Sequence, residues 1–220
     1  MKPSNTPVRK ALPETTIERL SEYRRSLIRI SKENAQTHIF SHDLARLHSI
    51  TAVQVRRDMM LIGYSSDTSK GYGIDALIQF ISKILDSSEP QNVAIIGMGN
   101  LAQAITHYFD GKGHNLEIVM GFDIDTDKIG SDTFGVPCYH IDDFVDKCRD
   151  NNVEIAILTC PRSVASSLNC LLAYANVKGV LNFTSATLEL PSNVYVEDYD
   201  IIKLLEKVAY FSKQSEEAVK

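Results

Sequence analysis

The sequence predicts an α/β protein in which a helical N-terminal domain precedes a doubly wound parallel sheet. Through much of residues 1–86, apolar side chains recur every three or four positions, which is typical of packed helices. From residue 93 onward, short apolar runs alternate with helical segments, as they do in βαβ units. Because SSEPQN (87–92) has the composition of a linker, we predict domains at 1–86 and 87–196, and a C-terminal helix in 197–220.

Four helices are predicted in the N-terminal domain, over residues 15–34, 41–47, 51–62 and 74–85. Thr15 and Glu18 have the spacing of a capping box at the start of the first helix. Ser41 is the predicted N-cap of the second helix and Thr51 that of the third, which Gly63 closes. The stretch YSSDTSKGYG that follows is rich in turn-forming residues, so it predicts a hairpin or loop.

Charge is divided unevenly along the chain. Residues 1–85 hold 13 Lys and Arg against 8 Asp and Glu, net +5, whereas residues 86–220 hold 10 against 20, net −10. A basic first third suits a phosphate backbone as its partner, although the whole chain carries −5. With no apolar run long enough to span a membrane and no signal peptide, we expect a cytoplasmic protein without a membrane partner.

The second domain is predicted to contain four buried strands, at VAIIG (93–97), LEIVMGF (116–122), VEIAILT (153–159) and GVLNF (179–183). Helical segments lie between them, near residues 100–110, 142–151 and 163–175. A last amphipathic helix is predicted over about 200–218. Cys138, Cys148, Cys160 and Cys170 are widely spaced and form no Cys-x-x-Cys pair, so we predict neither a disulfide nor a metal site.

A G-x-G-x-x-A sequence follows the first predicted strand, formed by Gly97, Met98, Gly99, Asn100, Leu101 and Ala102. Gly97 permits a tight turn, Gly99 leaves room for a pyrophosphate against the backbone, and Ala102 lets the helix pack closely on the strand. Asp123 ends the second strand, where a carboxylate can accept hydrogen bonds from a ribose. Because no Arg closely follows Asp123, NAD is favoured over NADP; the alternative is a glycine turn without a ligand.

Residues suited to contacting DNA cluster on the third predicted helix and in the loop after it. Arg56 and Arg57 could each bond guanine in a major groove, and Gln54 could bond adenine. Thr51 and Lys70 could engage phosphates. These residues fit an ordinary solvated, charged helix face equally well.

Seven segments, in order and through almost the whole chain, resemble the Rex family of redox-sensing transcriptional repressors. They are IERLSEY (17–23), SHDLARLHSITAVQVRRD (41–58), IIGMGNLA (95–102), GFDID (121–125), ILTCP (157–161), VLNF (180–183) and the helix from Asp200 to Phe211. Two departures concern the DNA-binding part. Ser49 stands where the family's turn usually has Gly. The family's wing corresponds to YSSDTSKGYGID (64–75), in which Lys70 is the only basic residue.

The resemblance implies a winged helix-turn-helix domain joined to a Rossmann-type domain, with a C-terminal helix swapped between the subunits of a homodimer. It implies double-stranded operator DNA as the partner. It also implies NAD as the cofactor, with NADH as the effector that releases the DNA and NAD⁺ as a weaker competitor. Thr159 and Pro161 would then line the nicotinamide side of the site, and no residue would be catalytic.

Two other functions fit parts of the sequence. An NAD-dependent dehydrogenase needs an acid or base near the nicotinamide. The histidines of the second domain, His107, His114 and His140, are more typical of surface positions. A CoA- or ADP-binding ligase subunit shares such a sheet but leaves the basic helical domain unexplained.

Overall fold

The chain divides into two compact units, Met1–Ser88 and Glu89–Lys220. The computed structural model describes residues 12–33, 36–65, 70–109, 115–133 and 135–217. Each unit packs around its own apolar residues. In the described ranges, no helix is long and apolar enough to cross a membrane.

Four helices and a small sheet form the first unit: α1 (Glu14–Glu33), β1 (His38–Ile39), α2 (Ser41–Leu47), α3 (Ala52–Ile62), β2 (Tyr72–Gly73) and α4 (Ile74–Leu85). The four predicted helices are therefore confirmed. Strands β1 and β2 pair antiparallel, so the end of the polar stretch after Gly63 joins a strand that precedes α2. Residues 66–69 of that stretch lie outside the described residues.

The start of α3 is as predicted, whereas the starts of α1 and α2 are not. The Thr51 hydroxyl accepts a hydrogen bond from the Gln54 backbone N–H at 3.1 Å, which caps α3. Ser41 was expected to cap α2, but it is the first helical residue and Phe40 holds the extended N-cap position. Thr15 was expected to begin a capping box, but α1 already begins at Glu14.

The turn between α2 and α3 includes a residue in a left-handed conformation. Ser49 has φ of +53°, so the chain tolerates at a serine the geometry that the motif usually gives to glycine. The Ile50 N–H donates to the Ala45 carbonyl at 3.1 Å across this turn. At the other end of α3, Gly63 has φ of +74° and closes the helix as predicted.

A buried carboxylate joins α3 to α1. Asp58 is fully buried and accepts two hydrogen bonds of 2.8 Å from the Arg19 guanidinium. It also accepts from the Tyr23 hydroxyl at 2.8 Å and from the Gln54 side-chain amide at 2.9 Å. Burial alone would raise the pKa of Asp58, but the hydrogen bonds from Arg19, Tyr23 and Gln54 hold it below its ordinary value.

The second unit is a seven-stranded sheet with helices between its strands. In chain order it contains β3 (Gln91–Ile96), α5 (Asn100–Phe109), β4 (Leu116–Asp123), β5 (Asp132–Thr133), β6 (Val136–His140), α6 (Phe144–Asp150), β7 (Val153–Leu158), α7 (Arg162–Ala165), α8 (Asn169–Tyr174), β8 (Gly179–Asn182), β9 (Tyr195–Asp198) and α9 (Ile201–Glu217). The strand order is β5-β6-β4-β3-β7-β8-β9, and all neighbours are parallel except β5 and β6.

This order confirms the doubly wound parallel sheet. The chain winds outward from β3 through β4 to β6, then crosses to β7 and winds the other way. The carboxyl ends of β3 and β7 therefore flank the topological switch point, where such sheets bind ligands. Beyond the four predicted strands, the sheet contains the two-residue strand β5 and the strands β6 and β9, whose mixed sequences VPCYH and YVED are not apolar runs.

We expect Asp58→Ala to lower the free energy of unfolding of the first unit by about 3–5 kcal/mol, because it leaves Arg19 and Tyr23 without their buried partner. Urea denaturation of the full chain, followed by hydrogen exchange of the α1 and α3 amides, measures this loss. Asp43→Ala is the control, since it removes only solvent-exposed contacts to His42 and Arg46 and should cost less than about 1 kcal/mol. Equal losses in the two variants would contradict this account of Asp58.

The same carboxylate should make the stability of the first unit depend on pH. Its pKa is lower in the folded than in the unfolded chain, so its stabilising contribution is complete above the unfolded value of 3.8. The contribution is lost as the pH falls through the folded pKa. Between pH 5 and roughly 2, the free energy of unfolding should therefore change less with pH in Asp58→Asn than in the wild-type chain.

Candidate dinucleotide and DNA sites

The loop between β3 and α5 contains two glycines that meet different demands. Gly97 has φ of +95°, and a Cβ there would lie 2.8 Å from the Cys160 backbone nitrogen. Its place therefore requires glycine for both conformation and space. At Gly99, a Cβ would meet no atom within 4 Å, so the space beside it is open. Such an opening at the start of α5 suits the close approach of a pyrophosphate.

The loop between β3 and α5 (residues 97–99), here called the fingerprint loop, is joined to the end of β4 by a carboxylate. The backbone N–H of Met98 donates to Asp123 Oδ2 at 2.8 Å. Asp123 Oδ1 accepts from the backbone N–H groups of Ile124 and Asp125, at 2.8 and 3.0 Å. Asp123 thus fixes the loop and the turn after β4 relative to each other.

Lys128 is the fourth donor to this carboxylate, and no sequence pattern predicted it. Its Nζ lies 2.9 Å from Asp123 Oδ2 and 3.6 Å from Asp125 Oδ2. Burial alone would raise the pKa of Asp123, but the hydrogen bonds from Lys128, Asp125 and Met98 lower it. The hydrogen bond to Asp123 in turn raises the pKa of Lys128. Both groups are therefore charged at neutral pH.

Thr159 follows β7 and faces the same loop. Its hydroxyl lies 2.8 Å from the Gly97 carbonyl oxygen and 3.1 Å from that of Ile96, and its backbone N–H donates to Ile96 at 2.9 Å. These contacts connect the carboxyl ends of β3 and β7 across the switch point. Cys160 comes next in the chain, and burial raises the pKa of its thiol. A thiol in that state is protonated and weakly nucleophilic.

A cavity of about 520 Å³ lies at this edge of the sheet, with walls formed by Ile96, Gly97, Gly99, Phe122, Asp123, Ile124, Lys128, Ile141, Thr159, Cys160, Pro161, Val164 and Leu168. Of the predicted cofactor residues, it brings together Gly97, Gly99, Asp123, Thr159 and Pro161. The volume and the apolar walls with few polar groups are typical of a small-molecule site.

The other predicted cofactor residues lie outside this wall. Met98 and Ala102 are buried beneath the loop, where Met98 offers its N–H to Asp123 and Ala102 packs in the core. Asn100 and Leu101 are exposed in the first turn of α5. Among the described residues that line the cavity there is no histidine, and His114 lies outside the described residues.

The predicted DNA-contacting residues of α3 differ in exposure and in the hydrogen bonds that they already make. Arg57 is exposed, and Arg56 is exposed while donating to the Ser41 hydroxyl at 3.1 Å. Gln54 is half-buried with its amide bound to Asp58, so reaching a base would require it to give up that contact. Val53 is 64% exposed, although an apolar residue on a helix normally indicates the core, and it was therefore not among the predicted site residues.

Two positions predicted to contact phosphates have different surroundings. The Thr51 hydroxyl accepts a bond as the α3 cap, although its side chain is exposed and the hydroxyl proton is available for a further bond. Lys70 is exposed in the turn just before β2. Both side chains are therefore exposed, as are those of Arg56 and Arg57 on α3.

Comparison with known proteins places the chain in a family. Residues 88–186 match the model described as CoA binding domain, and residues 11–59 match the one described as "Putative DNA-binding protein N-terminus". The redox-sensing transcriptional repressor Rex of Listeria welshimeri is 36% identical over 200 residues, which are 91% of this chain and 93% of that protein. The chain belongs to the Rex family.

Solved Rex structures have the same fold. RSP is a Rex-family repressor, and its crystal structure in complex with beta-NADH matches 96% of this chain and all of that one, with a TM-score of 0.84. The crystal structure of RSP in complex with beta-NAD⁺ and operator DNA matches 94% of this chain and 95% of that one, with a TM-score of 0.86. Sequence identity is 28% in both cases. The predicted fold, a helical DNA-binding unit followed by a Rossmann-type unit, is thereby confirmed.

We expect Gly99→Ala and Gly97→Ala to fail in different ways. The open space at Gly99 accepts a methyl group in the unliganded chain, so the variant should fold normally but bind NADH roughly tenfold more weakly, as expected when charge-assisted hydrogen bonds are lost. Gly97→Ala should itself lower stability by about 1–3 kcal/mol because of its conformation. Thermal unfolding and calorimetric titration of both variants test the distinction. Full NADH affinity in Gly99→Ala would contradict a pyrophosphate site there.

Proposed function

We propose that this chain is a redox-sensing repressor that binds operator DNA as a homodimer and is released when NADH binds. The observation that carries the proposal is the likeness, over 94% or more of the chain, to Rex structures holding beta-NADH and holding operator DNA. In this proposal, NAD⁺ is a weaker competitor at the same site. Such a repressor must have access to both DNA and NADH, so we expect it in the cytoplasm.

The cavity at the switch point supports the cofactor part of the proposal. Gly99 and the start of α5 are suited to hold the pyrophosphate, and Asp123 to accept hydrogen bonds from the adenosine ribose. Thr159 and Pro161 lie across β3 from Asp123 and would line the nicotinamide side. The protein's contribution is to bind and orient the dinucleotide. We propose no catalytic residue, since the cavity's thiol is protonated and its lysine is paired.

The exposed side of α3 supports the DNA part. A helix that follows a short turn after α2 is the recognition helix of a helix-turn-helix, and its N-terminal residues contact base edges. Arg57 and Arg56 have exposed guanidinium groups that could bond guanine, Arg56 through the N–H groups that do not bond Ser41, and Val53 presents an apolar surface suited to a thymine methyl group. Thr51 and Lys70 would bond phosphates on either side.

Helix α9 supports the dimer. Its apolar residues are all exposed in the single chain: Ile201, Ile202, Leu204, Leu205, Val208, Tyr210 and Phe211. Exposure of so many large apolar side chains on one helix is costly in water and indicates an interaction surface. A second copy of this chain that covers α9, by exchange of the helix between subunits, would bury this face and pair the two recognition helices.

A dimer explains how NADH could release DNA without touching it. Two recognition helices fit two half-sites only at one separation. If NADH binds one dimer arrangement more tightly than the other, it shifts the population toward that arrangement. Both first units then remain folded but no longer match the operator.

Replacement of both Arg56 and Arg57 by Ala should abolish specific operator binding. Each arginine lost from a base pair should cost about 1–3 kcal/mol, while the dependence of the affinity on salt, which phosphate contacts set, should stay steep. A gel shift on the DNA upstream of the protein's own gene, at several salt concentrations, measures both effects. The control replaces Lys32 and Lys83, exposed on α1 and α4, by Ala and removes the same charge. Unchanged operator affinity in the arginine variant, with the dimer and NADH binding intact, would overturn the assignment of α3.

A chain that ends after Tyr199 should be monomeric and should no longer be released from DNA by NADH. This end point keeps β9 whole, whereas the predicted domain boundary after residue 196 falls inside that strand. The control is a chain that ends after Glu217, which keeps α9. Light scattering and an NADH-titrated gel shift measure the two properties. A shortened chain that stayed dimeric and still responded to NADH would exclude α9 as the coupling element.

A further inference from the structure

The carboxylate of Asp123 has no hydrogen-bonding capacity left for a ribose. A carboxylate offers about four lone-pair positions, and four donors occupy them here. Three of the donors are backbone N–H groups, those of Met98, Ile124 and Asp125. The fourth is the ammonium group of Lys128. A ribose hydroxyl can therefore bond Asp123 only where one of these donors moves away.

Lys128 is the donor that can move. The backbone N–H groups are held by the fingerprint loop and by the turn after β4, whereas Lys128 reaches Asp123 through a flexible side chain that is 37% exposed. A second carboxylate, that of Asp125, already lies 3.6 Å from its Nζ. Displacement from Asp123 would therefore leave the ammonium group with a charged partner, which keeps the cost of the movement small.

The displaced ammonium group would remain at the mouth of the ribose site, because Lys128 itself forms part of the cavity wall. There it has a second effect, which depends on the charge of the ligand. An unpaired Asp123 would repel a phosphate on the ribose 2′ oxygen, and this repulsion is how an acid at this position selects NAD. A neighbouring ammonium group offsets that repulsion and can itself bond the phosphate.

We propose that Lys128 is a specificity-determining residue of the ribose site: it competes with the ribose hydroxyls for Asp123 and weakens the exclusion of 2′-phosphorylated dinucleotides. The inference rests on the proposed function, since it assumes that the cavity holds a dinucleotide. It has a distinctive consequence. Removing the ammonium group should change the affinities for NADH and NADPH in opposite directions.

The test is calorimetric titration of the full-length dimer with NADH and, separately, with NADPH. In Lys128→Met, NADH should bind roughly threefold to tenfold more tightly than to the wild-type chain, the range for one partly exposed charge-assisted hydrogen bond. NADPH should bind more weakly by a similar factor. Lys128→Arg keeps the charge and should keep the wild-type ratio of the two affinities. Lys178→Met is the matched control, since it removes an exposed lysine that pairs with Glu154 in the same unit.

Each outcome decides the proposal. Opposite shifts in Lys128→Met, with an unchanged melting temperature and no shifts in Lys178→Met, support it. Weaker binding of both dinucleotides would overturn it, because Lys128 would then only hold Asp123 in place. Unchanged affinities for both would overturn it as well. If the wild-type dimer bound neither dinucleotide, the proposed function itself would fail, and this inference with it.

Discussion

The hydrogen bond from the Met98 N–H to the Asp123 carboxylate organises the second unit's site. It joins the loop after β3 to the end of the neighbouring strand β4 at 2.8 Å, at the edge where the sheet changes direction. Because Asp123 is only 10% exposed, its charge must be matched by donors, and the surrounding N–H groups and Lys128 supply them. The glycine loop and the acid are therefore a single structural feature, present before any ligand binds.

In the first unit, a poorly exposed carboxylate likewise holds two elements together. Asp58 is buried between α1 and α3, and its four hydrogen bonds fix the orientation of α3. The cost is that Gln54, on the predicted DNA-binding face, is partly committed to the interior. The benefit is that the exposed arginines next to it project from a helix that cannot easily rotate. In each unit a buried acid gives up solvation to hold a binding element in place.

The two acids differ in what remains adjustable around them. Every partner of Asp58 lies within the packed interior or at its boundary, with the Arg19 side chain 21% exposed. Asp123 instead has one partly exposed donor, Lys128, with an alternative partner close by in Asp125. A structural site gains from the first design, since it needs rigidity. A ligand site gains from the second if, as we propose for Lys128, one donor moves away when the ligand binds.

Most helices and strands of this protein, and the position of its candidate dinucleotide site, could be predicted from local sequence. Helix spacing predicted all four helices of the first unit, the Thr51 cap followed from a local hydrogen bond, and the glycine fingerprint with Asp123 indicated the site. Each of these depends on interactions between residues close in the chain, or on a motif whose spacing is fixed by the strand and helix it joins. Strands β6 and β9 were not predicted, because short strands with mixed sequences carry no distinctive pattern.

Only the three-dimensional structure shows which side chains already have hydrogen-bond partners. Nothing in the sequence around Lys128 indicates that it pairs with Asp123, and nothing around Gln54 indicates that its amide is bound to a buried carboxylate. Ser41 has the residue type of a cap, yet its hydroxyl accepts from Arg56 instead. Such pairings depend on where a flexible side chain ends in space and on which charges are desolvated there. Those quantities are set by packing, so the sequence pattern alone does not contain them.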